Sequence, residues 1–212
     1  MFSNIVLLDG NMSVCSTNAE QTGQGSARPV NSKPDKITAA LSLPTVATYN
    51  LRSLFPKVGN LKTDILERQI DVGFCQEIWE QSNKKEHKFE IEKMLEMSGL
   101  LYMSTSRAPN AKGVSYGGAA IIVNQKKFTC ERLNIHIPKN LEVVWGLLKP
   151  KNPSAKFKKI IVCSFYSTPN KKKNSKMADY IVSTLQMLCT KYPVCAIFLG
   201  ADRNKHRYKT NT

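Results

Sequence analysis

The sequence predicts an α/β (α+β) sandwich, in which two stacked mixed sheets are covered by helices on their outer faces. Strand-like apolar runs outnumber amphipathic helical segments. Most of these runs are continuous, as expected for sheets that are covered on both faces. A doubly wound parallel sheet would need a helix after nearly every strand, and the middle of the chain offers none.

Short apolar runs bounded by turn-forming residues predict the strands. Two of them, residues 128–137 and 141–148, are joined around Pro138, Lys139 and Asn140 and predict an antiparallel meander. The predicted strands are, in order, residues 45–50, 72–77, 100–105, 119–123, 128–137, 141–148, 160–166 and 194–199.

Three segments have the apolar spacing of amphipathic helices. The first covers residues 58–70, and Asn60 is predicted to cap it. The second covers residues 83–98 and is predicted to end at Gly99. The third is predicted to begin at a capping residue, Ser175. Their apolar positions are Val58, Leu61, Ile65, Leu66 and Ile70, then Phe89, Ile91, Met94, Leu95 and Met97, then Met177, Ile181, Val182, Leu185 and Leu188.

The N-terminal part of the chain differs in composition from the rest. From about Gly10 to Lys36 it is rich in Ser, Asn, Gln, Thr and Gly and has almost no large apolar residues. Such a segment buries too little surface to offset its ordering entropy. We therefore expect a disordered tail over residues 1–44 and one folded domain over residues 45–212.

The 212-residue chain has a formal net charge of +15, from 31 Lys and Arg against 16 Asp and Glu. This excess favours a polyanionic partner such as nucleic acid, an anionic membrane or a phosphorylated substrate. The alternative is a basic surface that serves only solubility. No apolar segment approaches the roughly 18 residues that a membrane-spanning helix needs, so we expect no membrane insertion.

The cysteines indicate a reducing compartment. None of the six forms a CxxC pair, and Cys75, Cys163 and Cys195 lie within apolar runs, where free cysteine behaves as a small buried hydrophobe. The apolar run over residues 5–8 is too short for a signal peptide. We expect an intracellular protein that is not secreted, with the nucleus favoured over the cytoplasm.

Four of the predicted buried strands end in polar residues: Asn50, Glu77, Tyr166 and the pair Asp202 and Asn204. Scaffolds usually present functional groups at such positions, and we expect Asn50 and Glu77 to meet at one edge of a sheet. Carboxylate, amide and phenol oxygens suit Mg²⁺ and a phosphate better than Zn²⁺. The alternative for each residue taken singly is a turn former or a packing contact.

Several short motifs, taken together in order, resemble the endonuclease/exonuclease/phosphatase superfamily. The strongest similarity is to the apurinic-type endonuclease domain of non-LTR retrotransposons. The segment over residues 49–54 resembles that family's Asn-x-Arg-Ser-Leu motif. The other matching segments are Asp71-Val72, Gln76-Glu77, Gly117-Gly118-Ala119-Ala120-Ile121, Glu142-Val143-Val144-Trp145, Phe165-Tyr166-Ser167-Thr168-Pro169-Asn170 and Leu199-Gly200-Ala201-Asp202-Arg203-Asn204.

The resemblance implies a four-layer αββα sandwich, incomplete at its C-terminal end, that nicks DNA with Mg²⁺ or Mn²⁺. It implies that Glu77 binds the metal, that Asn50 supports the metal and phosphate site, and that Tyr166 hydrogen-bonds the scissile phosphate. Asp202 would orient or deprotonate the attacking water, and Asn204 would hold the phosphate.

The family also implies partners. DNA is the expected substrate, the rest of a retrotransposon polyprotein with its reverse transcriptase is a candidate partner, and we expect the chain to be a monomer. Arg52 and the run Lys171, Lys172 and Lys173 are candidate contacts to the nucleic-acid backbone. The alternative for the three lysines is a solvated loop.

Two departures from the family pattern bear on activity. The chain contains no Ser-Asp-His sequence, and Ala201 and Arg203 replace a glycine and an aromatic residue. We therefore expect the 212-residue chain to have little or no nuclease activity. Two alternatives stay open, a phosphoinositide or nucleotide phosphodiesterase of the same superfamily and a non-catalytic basic chain that only binds nucleic acid.

Overall fold

Two mixed sheets lie face to face, and helices cover the outer face of each. This computed structural model describes residues 4–9, 14–15, 43–80, 85–107, 110, 115–152, 157–167 and 171–203. Within these ranges each sheet has five strands. The predicted α/β sandwich and its four αββα layers are therefore confirmed.

The first sheet consists of β2 (Val14–Cys15), β3 (Val46–Asn50), β4 (Val72–Gln76), β5 (Leu100–Thr105) and β6 (Ala119–Asn124). Its strand order is β2-β3-β4-β6-β5. The neighbours β3 and β4 are parallel, whereas β6 is antiparallel to both β4 and β5. Because β3 and β4 are parallel, the residues that follow them lie at the same edge of the sheet.

The second sheet consists of β1 (Asn4–Asp9), β7 (Phe128–Arg132), β8 (Glu142–Pro150), β9 (Ile160–Ser167) and β10 (Ala196–Arg203). Its strand order is β1-β10-β9-β8-β7. The strands β1, β10 and β9 are parallel, and β7 and β8 form the predicted antiparallel meander.

Three helices cover the sheets, α1 (Val58–Glu67), α2 (Lys85–Glu96) and α3 (Lys171–Lys191). α1 and α2 pack on the first sheet, and α3 packs on the second. The predicted end of α2 is confirmed, since Gly99 has a φ of +72° and its N–H bonds to the Glu96 carbonyl at 2.8 Å.

Two predicted helix caps are wrong. α1 begins at Val58 after a single 3₁₀ turn, so Asn60 lies inside the helix and does not cap it. α3 begins at Lys171, so Ser175 is also an internal residue. In α1 the apolar spacing already begins at the first helical residue, Val58, so only the cap is misplaced. In α3 the first turn, residues 171–174, is polar and adds no apolar residue to the pattern.

The prediction of a tail without structure over residues 1–44 is wrong at two stretches. β1 pairs in parallel with β10, and β2 pairs antiparallel with β3, so each lies at an edge of a sheet. The continuous apolar run at residues 5–8 is typical of a strand in a parallel sheet. The remaining residues of 1–42 lie outside those that the structure describes.

The thiols are free at five cysteines: Cys75, Cys130, Cys163, Cys189 and Cys195. Burial raises the pKa of the Cys75 and Cys163 thiols, in keeping with their place inside strands. Within the described ranges, no helix is long and apolar enough to span a membrane.

The two sheets approach closely at Gly200 on β10. A Cβ at this position would overlap the Phe74 side chain of β4 in the facing sheet. We expect Gly200→Ala to lower the free energy of unfolding by about 1–3 kcal/mol, because the well-packed core cannot absorb the added methyl group. Urea unfolding followed by circular dichroism measures this.

The matched control is Gly59→Ala on α1, where a Cβ would meet nothing within 4 Å. Since alanine is the better helix former, this change should leave stability unchanged or raise it by up to about 1 kcal/mol. Equal effects of the two substitutions would contradict the close packing at Gly200.

Candidate active site

The loops that follow β3 and β4 run side by side at one edge of the first sheet. Backbone N–H groups of the first loop donate to carbonyls of the second, from Leu51 to Gln76 at 3.0 Å, from Ser53 to Glu77 at 2.9 Å and from Leu54 to Ile78 at 2.8 Å. The parallel pairing of the strands therefore continues past their ends.

Both loops contain residues in the left-handed region, which L-residues other than Asn and Asp rarely adopt. The φ angles are +45° at Arg52, +88° at Ser53, +52° at Glu77 and +49° at Trp79. Each such residue costs on the order of 1 kcal/mol, and such residues cluster at functional sites. The hydrogen bonds between the two loops stabilise these conformations.

Asn50, Glu77 and Asp202 meet at this edge. The Asn50 amide nitrogen donates to Glu77 Oε1 at 3.2 Å and to Asp202 Oδ2 at 2.6 Å. The predicted meeting of Asn50 and Glu77 is thus confirmed, and Asp202 joins them from β10 in the facing sheet. Asn50 is exposed and the two carboxylates are half-buried, so water reaches the cluster.

This donor set fits a hard divalent cation. Two carboxylate oxygens converge on one amide nitrogen, and their like charges repel each other unless a cation or a proton lies near them. Mg²⁺ is commonly bound by one or two carboxylates together with water and substrate phosphates. Within the described residues no group of three or more His, Cys, Asp and Glu side chains forms a closed metal cage.

Tyr166 lies next to Asp202. On neighbouring strands, Tyr166 of β9 is in register with Asp202 of β10 on one side and with Glu142 of β8 on the other. These three side chains therefore form a row across the end of the second sheet. The Arg107 guanidinium carbon lies 6.0 Å from the centroid of the Tyr166 ring, at the limit of a cation–π contact.

An ion pair between a buried carboxylate and a partly exposed arginine supports this row. The side chain of Glu142 is only 4% exposed; it pairs with Arg107 and accepts hydrogen bonds from the Arg107 Nε and from the Gly118 N–H. Gly117 and Gly118 have φ angles of +103° and +85°, and a Cβ at Gly117 would overlap the Glu142 carboxylate. Glu142 therefore fixes both the arginine beside Tyr166 and the glycine loop.

A second polar network joins the two sheets beneath the site. Thr48 Oγ1 donates to Gln76 Oε1 at 3.3 Å, and Gln76 Nε2 donates to Ser164 Oγ at 3.2 Å. Ser164 Oγ in turn donates to the Cys75 carbonyl at 3.1 Å. These buried side chains hold β4 against β9, and hence Glu77 near Tyr166 and Asp202.

The sequence predicted neither of these supporting networks. Arg107 lies in a polar loop without a periodic pattern, and Gln76 was identified only as part of a motif. The one available signal was a charged residue, Glu142, at the start of an apolar strand, where an acid must find a partner if it is buried.

The other predicted residues have simpler placements. Arg52 is exposed in the loop after β3, two residues beyond Asn50. Lys171, Lys172 and Lys173 form the first turn of α3 instead of a loop. Asn204 lies outside the described residues, so its role stays a prediction.

No protein-family model and no curated protein sequence matches the chain. Solved structures do. The human Nocturnin catalytic domain with bound sulfate anion has a TM-score of 0.55 at 14% identity, with 73% of this chain and 62% of that chain covered. Humanized D. rerio TDP2 has a TM-score of 0.50 at 13% identity, with 73% and 60% covered.

The endonuclease domain of TRAS1, a telomere-specific non-LTR retrotransposon, has a TM-score of 0.46 at 16% identity, with 75% of this chain and 59% of that chain covered. The chain thus spans about three fifths of the length of these structures, as 62%, 60% and 59% of them are covered. The similarity to Nocturnin and TDP2 shows that the chain has the endonuclease/exonuclease/phosphatase fold.

Proposed function

We propose that the chain is a phosphodiesterase that nicks DNA with a divalent cation, Mg²⁺ or Mn²⁺, as in non-LTR retrotransposition. The observation that carries this proposal is the double contact of the Asn50 amide with the Glu77 and Asp202 carboxylates. Three side chains from the ends of strands in both sheets converge there, in a fold whose solved members include nucleases and phosphatases.

Each residue of the cluster has a role that its position supports. Glu77 and Asp202 supply the oxygens that would hold the cation, and Asn50 keeps the two carboxylates together. The cation, when bound, would neutralise charge that develops on the phosphate oxygens. Asp202, as a carboxylate, orients the attacking water and accepts its proton.

Tyr166 is placed to donate its phenol O–H to a phosphate oxygen beside Asp202. Preplaced donors of this kind stabilise the transition state because they need no reorganisation during the reaction. Arg107 lies near the Tyr166 ring and is held there by Glu142, so both residues would act by positioning Tyr166 and not by contacting the substrate.

The proposed substrate and partner follow from charge and from the sequence motifs. The net charge of +15 favours a polyanion, and exposed Arg52 lies beside Asn50. The motifs over residues 49–54 and 199–204 favour the retrotransposon type, and with it a reverse transcriptase encoded in the same polyprotein.

Supercoiled plasmid incubated with the chain and Mg²⁺ or Mn²⁺ tests the proposal. We expect slow conversion to the open-circular form that stops when the metal is chelated. We expect the rate to be low because the 212 residues contain no Ser-Asp-His sequence. The matched variants are Asp202→Asn, which should abolish the conversion, and Asp179→Asn on the exposed face of α3, which should not.

Conversion that persists in Asp202→Asn would contradict the assigned site. Plasmid binding without any metal-dependent conversion would instead favour the second candidate, a chain that only binds nucleic acid. The observation that favours this second candidate is that the 212 residues contain no Ser-Asp-His sequence.

A further inference from the structure

Two aromatic side chains lie beside the candidate active site and have no role in the chemistry described so far. The rings of Trp79 and Tyr116 meet edge to face, with centroids 5.1 Å apart and an angle of 88° between their planes. Tyr116 is 51% exposed, and Trp79 is half-buried. We refer to this pair as the aromatic ledge.

The backbone fixes the ledge relative to Glu77. Trp79 follows Glu77 by two residues, so their Cα atoms are at most about 7.6 Å apart. The Trp79 N–H donates to the Gly117 carbonyl at 2.9 Å, which ties the loop after β4 to the loop that carries Tyr116. A Cβ at Gly118 would overlap the Ile78 side chain, so the two loops are in close contact.

Side-chain hydrogen bonds also hold the loop after β4 at Glu80, the residue that follows Trp79. The buried Glu80 carboxylate accepts hydrogen bonds from Ser104 Oγ at 2.9 Å and from Ser106 Oγ at 2.6 Å. On the other loop, Gly118 is bonded to Glu142, which also fixes Arg107 beside Tyr166. Hydrogen bonds and an ion pair therefore connect the loops that carry the ledge with Glu77 and with the arginine beside Tyr166.

We propose that the aromatic ledge stacks a nucleobase of an unpaired nucleic-acid strand whose phosphate lies at the Asn50, Glu77 and Asp202 cluster. Aromatic rings bind every base through its π-face, largely independent of sequence. An inositol headgroup is a polyhydroxylated ring without such a face, so the ledge selects nucleic acid over a phosphoinositide. This inference rests on the proposed phosphodiesterase function and names its substrate class.

Among the residues that the structure describes, the other exposed aromatics, Phe55 and Phe89, do not have this placement. The Phe55 ring lies flat on His87, with centroids 3.9 Å apart, so one of its faces is covered. Phe89 is 64% exposed on α2 and supplies a control of similar exposure.

Only two tryptophans are present, and Trp145 is 1% exposed, so a change in tryptophan fluorescence on binding reports mainly on Trp79.

The test compares two single-stranded probes of equal length and phosphate number, oligothymidylate and an abasic oligonucleotide. Binding to the full 212-residue chain is measured by anisotropy of labelled probes in Ca²⁺, a hard cation that oxygen ligands bind, and the probes are checked for intact length after the measurement. We expect oligothymidylate to bind about tenfold more tightly than the abasic probe and to quench tryptophan fluorescence.

The ledge variants should lose this preference. Tyr116→Ala and Trp79→Ala should bring the ratio of the two affinities close to one, whereas Tyr116→Phe and Phe89→Ala should keep it. Circular dichroism confirms the fold of each variant. If Trp79→Ala fails to fold, Tyr116→Ala alone provides the test, because Tyr116 is exposed and its removal should not disturb the core.

Equal affinity of wild type for the two probes, or an unchanged preference in Tyr116→Ala, would overturn the proposal. Quenching of tryptophan fluorescence by phosphoinositide vesicles, with none by oligothymidylate, would overturn it in favour of a lipid substrate. A preference for oligothymidylate without plasmid nicking would contradict the proposed nuclease function and leave the base-stacking role of the ledge standing. Nicking without that preference would contradict the base-stacking role and leave the nuclease function standing.

Discussion

Replacing Glu77 by glutamine is expected to weaken Mn²⁺ binding by about a hundredfold, because it removes one of the two carboxylates that would hold the cation. Glutamine keeps the size of the side chain and an oxygen that accepts the hydrogen bond from Asn50. Titration of Mn²⁺ followed by electron paramagnetic resonance measures the free ion directly and does not depend on turnover.

The control for this titration is Glu67→Gln, which removes an exposed carboxylate at the end of α1. It removes one negative charge, as Glu77→Gln does. Mn²⁺ affinity should match that of wild type. If both variants lost affinity equally, the ion would be bound by diffuse charge and not by the cluster.

Replacing Glu142 by alanine is expected to lower the free energy of unfolding by about 1–3 kcal/mol, because the buried Gly118 N–H would lose its acceptor. The Arg107 side chain is 33% exposed, so water partly compensates its charge. The change would leave the Arg107 guanidinium and the Gly118 N–H without their carboxylate. Urea unfolding followed by circular dichroism provides the measurement.

An exposed ion pair supplies the comparison for Glu142. Glu131 and Lys149 lie 3.1 Å apart with side chains 56% and 49% exposed. Because solvent screens such a pair, Glu131→Ala should cost less than about 1 kcal/mol. If Glu142→Ala and Glu131→Ala lowered the free energy of unfolding equally, burial of the Glu142 carboxylate would add nothing to stability.

The sequence was sufficient to predict that Asn50 and Glu77 meet, because neighbouring parallel strands end at the same edge of a sheet. Asn50 and Glu77 directly follow apolar runs, and strands that end at one edge bring such residues together. Asp202 could be placed near them only through the resemblance to a known family. The contact joins residues 152 positions apart, and no local pattern specifies which sheet faces which.

The supporting residues could not be predicted, for a different reason. Arg107 and Glu142 lie 35 positions apart. Arg107 follows β5 by two residues and Glu142 begins β8 of the facing sheet, so their contact depends on how the two sheets pack. Polar loops have no hydrophobic period, so their course depends on tertiary contacts that a sequence pattern does not reveal. The same reasoning applies to the Trp79 and Tyr116 ledge, which two such loops form.

Local sequence patterns were not sufficient to predict one strand, β1, and the capping residues of two helices. The apolar run at residues 5–8 is too short for a signal peptide, but it fits the strand β1 in a parallel sheet. The starts of α1 and α3 precede the predicted caps because propensity for a cap is weaker than the packing of the helix on its sheet.

The central claim is that Asn50, Glu77 and Asp202 form one site for a cation and a phosphate. Anomalous scattering from crystals soaked in Mn²⁺ tests it most directly, because the signal locates the ion without reference to activity. We predict one strong peak between the Glu77 and Asp202 carboxylates. A peak elsewhere, or none there while the Asn50 amide still bonds to both carboxylates, would contradict it.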